Sequence, residues 1–360
     1  MIEYPWSEPP AEGETQEVAD GVLWLRLPLP MALDHVNVYA LDEGDSWSVV
    51  DTGIWSARTV ALWERLLAGP LRGKPVSRII LTHHHPDHVG MAGWLMARFG
   101  AGLTTTRTSW LMARMLILDE EEYPSDQALA FWRDAGMDPG IYAARAAARP
   151  FNFADICHPL PVGYTRLQQG DVLRAGGRDW DVHVGHGHAP EHLTLWSRAE
   201  ALVLAGDQVI SSISPNIGVY PTEPEADPLR DWLESCERLR LLAREDHLVL
   251  SGHKLPFRGL AFRLTQLIEN HHGALRRLEA HLAEAKVASA CFEPLFKRKI
   301  DEGLYGLALV EAVAHLNHLY QADRMTRRRR ADGAWLWQAR EETGAGSRAS
   351  SEAWSRDGAG

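Results

Sequence analysis

Residues 81–90 read Leu-Thr-His-His-His-Pro-Asp-His-Val-Gly, and this decamer constrains the chain more tightly than any other stretch. It follows a short apolar run, Val76 to Leu81, of the kind buried in a sheet, and precedes a helical pattern, GMAGWLMARF. His83, His85, Asp87 and His88 therefore lie on a strand-to-helix turn. In extended chain His83 and His85 point to one side and can share a metal ion. Asp87 and His88, at the start of the helix, can turn toward a second ion. Imidazole and carboxylate together suit Zn²⁺, and also Fe or Mn. A His-rich surface loop with incidental metal affinity is the plainer alternative.

Four further segments argue against that alternative. Asp51-Thr52-Gly53 closes an apolar run at Val49-Val50, and Gly187-His188-Ala189-Pro190-Glu191-His192 follows the strand pattern Trp180 to Val184. Leu204-Ala205-Gly206-Asp207 and Leu250-Ser251-Gly252-His253 repeat the arrangement. Each places a Gly-flanked ligand-type residue at the C-terminal end of a strand, where sites of layered α/β proteins collect.

The rest of the chain supplies the layers. Gly21 to Pro28, His35 to Leu41 and Trp47 to Asp51 read as strands, and a helix is expected from 57 to 68. Strands and helices then alternate to about residue 104, which predicts an α/β architecture. Residues 108–148 read as a helical insertion, broken at Pro124 and at Asp138-Pro139-Gly140. Strands return from about 162 to 205, a helix covers 227–244, and the strand His247 to Leu250 ends the domain. Beyond residue 259 the pattern is helical, with Leu264, Leu267, Ile268, His271, Leu275 and Leu278 on one face. Two more helices and a hairpin across Ala331-Asp332-Gly333 complete a winged-helix-like pattern. The expected division is a loose lead-in over 1–20, a catalytic domain over 21–258, a winged-helix-like domain over 259–339 and a disordered tail over 340–360.

The net charge of −11 argues against a nucleic-acid partner overall, although Arg324 and Arg327 to Arg330 place a basic run on the expected wing. A solvated basic hairpin explains that run without a nucleic-acid role. Cys157, Cys236 and Cys291 are widely spaced, and they read as reduced structural thiols of a cytoplasmic protein. The start of the chain carries no export signal and no run reaches a membrane-spanning length.

With these motifs in place, residues 20–258 resemble the metallo-β-lactamase superfamily, which includes glyoxalase II, lactonases and RNA-processing nucleases. The resemblance implies a four-layer αββα sandwich with the site at one edge of the two sheets. It implies a first metal held by His83, His85 and His188, a second held by Asp87, His88 and His253, and Asp207 bridging the two. Asp51 corresponds to a structural aspartate that buttresses the histidine turn. His188 fits the motif register better than His186, and His192 falls on a position that supports the ligands, contacts substrate or is purely structural. Asp87, Asp207 and His192 are the expected catalytic side chains, and Asn216 and Tyr220 in the loop after Asp207 the expected substrate contacts.

The cofactor expectation is two divalent ions, Zn²⁺ foremost, generating a shared hydroxide that attacks a small ester, thioester or lactone. Trp110, Met112, Met115 and Trp132 of the insertion are candidates for an apolar roof over the acyl group, or else for packing. The expected partners are a small acyl substrate and a second copy of the chain in a homodimer, with no membrane and with nucleic acid disfavoured. Two alternatives stay open: a phosphodiesterase or ribonuclease using the winged helix as a binding arm, and a mononuclear iron persulfide dioxygenase. The narrow glyoxalase II reading lacks a basic cluster for a glutathione carboxylate between Asp207 and His253. A β-lactamase role does not suit a chain without an export signal.

Overall fold

A computed structural model of the chain describes residues 1–31 and 33–340. The expected disordered tail from 341 on lies outside the described residues.

Two twisted sheets form the centre. The first has seven strands in chain order: β1 (Gln16–Ala19), β2 (Val22–Pro28), β3 (His35–Asp42), β4 (Trp47–Val50), β5 (Val76–Ile80), β6 (Gly102–Thr106) and β7 (Thr165–Leu167). β1 to β4 pair antiparallel, whereas β4 to β7 run parallel. Parallel pairing needs crossovers. α1 (Ala57–Ala68) supplies the first, α2 (Pro86–Val89) with α3 (Ala92–Phe99) the second. The third runs through the insertion helices α4 (Arg107–Leu118), α5 (Asp126–Asp134) and α6 (Pro139–Ala146). The second sheet has the order β12-β11-β10-β9-β8, built from β8 (Val172–Ala175), β9 (Arg178–Gly185), β10 (His192–Ser197), β11 (Leu202–Gly206) and β12 (Leu248–Ser251). Its one parallel pair, β11 with β12, is bridged by α7 (Pro228–Leu242).

Strand alternation sorts side chains into layers. Val22 and Trp24 of β2 face Trp180, Val182 and Leu204 between the sheets, while Leu25 and Leu27 face Trp63, Leu66 and Leu95 under the first helical layer. The outer face of the second sheet, including Val203, Ala205 and Val249, packs against α7 and α8 (Leu260–His281). The result is a four-layer αββα sandwich, the architecture that the resemblance implied. Beyond α8 come a 3₁₀ turn at Ala288–Cys291, α9 (Phe292–Phe296), α10 (Tyr305–Gln321) and the hairpin β13 (Met325–Arg329) with β14 (Trp335–Ala339).

Three features go beyond the sequence reading. The N-terminal segment is no loose lead-in: β1 adds an edge strand to β2, and Glu3 pairs with Arg258 as an isolated bridge. The strand near 165 joins the first sheet as the parallel partner of β6, because the insertion returns the chain to that edge. The insertion is not one unit either. Trp110 of α4 stacks on Tyr164 at 4.8 Å beside the first helical layer, whereas Phe131, Trp132 and Met137 join the core of the C-terminal helices. Packing, not a roof, accounts for Trp110 and Trp132. Among the described residues no helix is long and apolar enough to cross a membrane.

Candidate metal centre

The C-terminal ends of β4, β5, β9, β11 and β12 open at one edge of the sandwich, and each delivers a ligand-type residue there. After β5 the chain turns at His83–His85, and Pro86 at the first position of α2 fixes the helix start. This turn brings His83 Nε2 within 2.9 Å of His85 Nδ1. His188, in the turn after β9, completes a first three-residue group with His83 and His85. Asp87, His88 and His253 form a second, and His83, His88 and Asp207 a third that overlaps both. Asp207 lies between them: its Oδ2 is 3.2 Å from His253 Nε2, 3.5 Å from His88 Nε2 and 3.6 Å from His188 Nε2. Asp87 reaches His253 Nε2 at 3.1 Å.

The far side of the imidazoles is anchored. Nδ1 of His88 donates to Asp51 Oδ2, that of His188 to the carbonyl of Asn216, and that of His253 to the carbonyl of His35, each at 2.8 Å. Such bonds fix the tautomer and leave the Nε2 lone pair pointing inward. Asp51 also accepts from the backbone N–H and the hydroxyl of Thr82, both at 2.8 Å, and so braces the histidine turn from behind. Its own backbone is left-handed, φ 61°, a conformation that Asp tolerates better than most residues. Gly252 is required by contact: a Cβ there would lie 2.2 Å from Asp207 Oδ1 and 2.8 Å from His88 Cε1.

These residues fit divalent cations. Nε2 of His88, Nε2 of His188 and Oδ1 of Asp207 are buried without any hydrogen-bond partner, an uncommon condition that a coordinated ion relieves. Burial would raise the Asp207 carboxyl, but His253 and His88 hold it well below the usual range, and Asp87 is held down chiefly by His88. Burial likewise disfavours charge on His253, yet the facing carboxylates push it up to about 10. His83, His85 and His188 shift down, foremost through burial, and so stay neutral donors. Without an ion the two carboxylates draw their positive charge from protonated His88 and His253, the place that a divalent cation would take on displacing those protons.

The remaining candidates occupy other positions. His192 is fully buried, stacks on His83 at 4.6 Å, and its Nε2 accepts from the Asp207 N–H at 3.1 Å. It supports two ligands from behind and, without exposure, cannot meet a substrate, which corrects its expected catalytic placement. The side-chain amide of Asn216 is committed to α10, donating to Glu311 at 2.7 Å and to the carbonyl of Leu307 at 3.2 Å, so the carbonyl is what this residue offers the site. Tyr220 is partly exposed on the same loop. His186 accepts from the Glu191 N–H and stands outside the three groups. Sequence reading missed Arg263, which donates to the carbonyls of Ile210 and Ile213 and braces the loop behind Asp207. Its only sequence signal was a basic residue on the helical stripe near Leu264.

A sequence model of the metallo-beta-lactamase superfamily matches residues 31–253. The chain belongs to that superfamily. It is a metal-dependent hydrolase. A second match, to the metallo-beta-lactamase-like C-terminal domain, covers residues 275–340. A probable metallo-hydrolase of Bacillus subtilis is 22% identical over 312 residues, 85% of this chain and 94% of the relative. A hydroxyacylglutathione hydrolase of Cereibacter sphaeroides is 25% identical over 241 residues, 65% and 72% of the two chains. Among solved structures, a beta-lactamase domain protein from Burkholderia ambifaria is 35% identical with a TM-score of 0.86, covering 94% of this chain and 98% of its own. A metallo-beta-lactamase family protein from Thermus thermophilus is 27% identical with a TM-score of 0.75, covering 90% and 100%.

Proposed function

We propose that this hydrolase holds two divalent ions, with Zn²⁺ the first candidate, and cleaves a small ester, thioester or lactone. His83, His85 and His188 would hold one ion, Asp87, His88 and His253 the other, and Asp207 both. The observation that carries this reading is the placement of Asp207 Oδ2 within 3.6 Å of three imidazole nitrogens drawn from both groups. When bound, such ions lower the pKa of a coordinated water toward neutrality and polarise the oxygen of an electrophile. The chain's own part is to hold that donor set rigidly. Asp51, Thr82 and the carbonyls of His35 and Asn216 lock the rings, so little reorganisation is left for the reaction itself. Asp87, partly exposed beside His253, would hold its ion from the open side of the site, where a substrate enters.

Two observations favour a small acyl substrate. Phe151 is exposed beside Phe153, whose ring stacks over His84 next to the ligand His85, which offers apolar surface for an acyl group. The name of the Cereibacter relative denotes hydrolysis of a glutathione thioester, the same reaction class. A nucleic-acid arm is disfavoured because all of the basic run but Arg328 is paired with carboxylates of the protein. Arg324 pairs with Glu279, Arg327 with Glu225, Arg329 with Asp134 and Arg330 with Asp332. Tyr220 stays the proposed substrate contact of the loop, and a cytoplasmic setting suits three buried free thiols.

The test is a screen of purified, metal-analysed protein against thioesters, lactones, phosphodiesters and persulfides. Hydrolysis of an acyl substrate, lost in His85→Ala and Asp207→Ala while their circular dichroism stays native, is the expected result. Turnover of phosphodiesters alone, or oxygen consumption with a persulfide, would overturn the substrate assignment.

A further inference from the structure

The loop after Asp207, residues 208–226, contains no helix or strand, yet it carries the carbonyl that orients His188. A loop of this length does not hold a ligand steady by itself. What holds it is α10. The Val219 N–H donates to the carbonyl of Val310, and the Asn317 amide donates to the carbonyls of Pro224 and Ala226, both at 2.9 Å. The Gln321 amide reaches the carbonyl of Glu225 at 2.6 Å. Residues 307, 310, 311, 317 and 321 recur at helical spacing, so one face of α10 runs beside the loop for about 20 Å at 1.5 Å per residue. At the end nearest the metal centre, Glu311 accepts from the Asn216 amide, and the carbonyl of that same Asn216 accepts from His188 Nδ1.

We propose that α10 forms a working wall of the metal centre, and that Glu311 is a positioning residue which sets His188 through Asn216. A two-link chain of 2.7 and 2.8 Å thus connects a carboxylate of the C-terminal helices to a ligand of the first ion. The bonds of the Asn216 side chain to Glu311 and to the Leu307 carbonyl tether this loop residue to α10, and through it the carbonyl that orients the His188 ring. This inference rests on the reading of His188 as a ligand. It makes the C-terminal helices part of the hydrolase rather than an appendage.

The test compares Glu311→Ala, Glu311→Gln, Asn216→Ala, His188→Ala and Leu316→Ala in the full chain, by competition for Zn²⁺ against a chromogenic chelator and by thermal melting. Glu311→Gln keeps an acceptor for the Asn216 amide and is expected to bind metal like the parent chain. Glu311→Ala and Asn216→Ala are expected to weaken one of the two binding steps about 10- to 100-fold, the loss usual when the partner behind a histidine ligand is removed. Leu316→Ala opens a cavity in the same helix without touching the loop contacts, and is expected to lower the melting temperature while leaving Zn²⁺ affinity unchanged. Parent-like Zn²⁺ affinity in Glu311→Ala, with His188→Ala deficient, would overturn the coupling alone. An equal loss in Leu316→Ala would reduce Glu311 to a stability element and overturn it too. Undiminished binding in His188→Ala would overturn the ligand reading and the coupling with it.

Discussion

Asp51 offers the sharpest quantitative prediction, since it touches no ion yet holds the turn that carries four of the proposed ligands. Its carboxylate accepts three hydrogen bonds of 2.8 Å, from the Thr82 N–H, the Thr82 hydroxyl and His88 Nδ1, all in a buried setting. In Asp51→Ala two buried donors and a hydroxyl lose their acceptor, at about 1.5–3 kcal/mol for each bond to a charged group. The three share one carboxylate and do not add fully, so about 3–5 kcal/mol is the reasonable total. Alanine at φ 61° adds about 1–2 kcal/mol of left-handed strain, which asparagine largely avoids. Asp51→Ala should therefore melt about 10 °C below the parent chain, at roughly 2 °C per kcal/mol for a large domain. Asp51→Asn should lose about half of that. Both should weaken metal binding about 10- to 100-fold through the freed His88 ring. Calorimetry with and without metal, alongside elemental analysis, measures both effects. An Asp51→Ala protein that melts within about 2 °C of the parent and retains full metal affinity would refute the bracing role.

Gly252→Ala is expected to keep the fold but lose metal and hydrolysis together, because its Cβ would fall 2.2 Å from Asp207 Oδ1; unchanged metal content would show that the carboxylate has room to move. Removal from water pushes the Glu311 carboxyl up to about 8, so its contribution to stability is full below the ordinary carboxylate pKa and fades as pH rises toward 8. Melting curves of the metal-free protein from pH 5 to 8 should thus fall more steeply for the parent chain than for Glu311→Gln. Equal slopes would deny the shift. Arg327, whose guanidinium lies 4.4 Å from the ring centre of Trp335 and 4.5 Å from that of Tyr320, packs the hairpin onto α10. Arg327→Ala should cost about 1–3 kcal/mol of stability without reducing intrinsic small-ester turnover, measured below its melting temperature; a selective loss of RNA cleavage instead would restore the nuclease reading.

The centre was legible in the sequence because strand ends announce themselves. His83, His85, His188, Asp207 and His253 each follow an apolar run and stand near a glycine or proline, and the structure brings all five together with Asp87 and His88. The layers were legible for the same reason, since period-two and helical patterns report burial directly. What escaped was everything set by long-range contact. β1 has only Val18 well buried, so its four residues carried no alternation to recognise. The split of the insertion between two cores depends on where Phe131 and Met137 land, not on their own periodicity. The role of Asn216 was inverted, since an amide in a loop looks ready for a ligand until Glu311, 95 positions away, is seen to hold it. Long-range packing also hid His192, whose burial beneath His83 comes from the sheets rather than from its motif.

Anomalous X-ray scattering from crystals grown with Zn²⁺ tests the central claim most directly. Two peaks are expected, one among His83, His85 and His188 and one among Asp87, His88 and His253, with Asp207 between them. A single peak elsewhere, or two that Asp207 does not touch, in a protein that hydrolyses its substrate would contradict the shared-carboxylate centre.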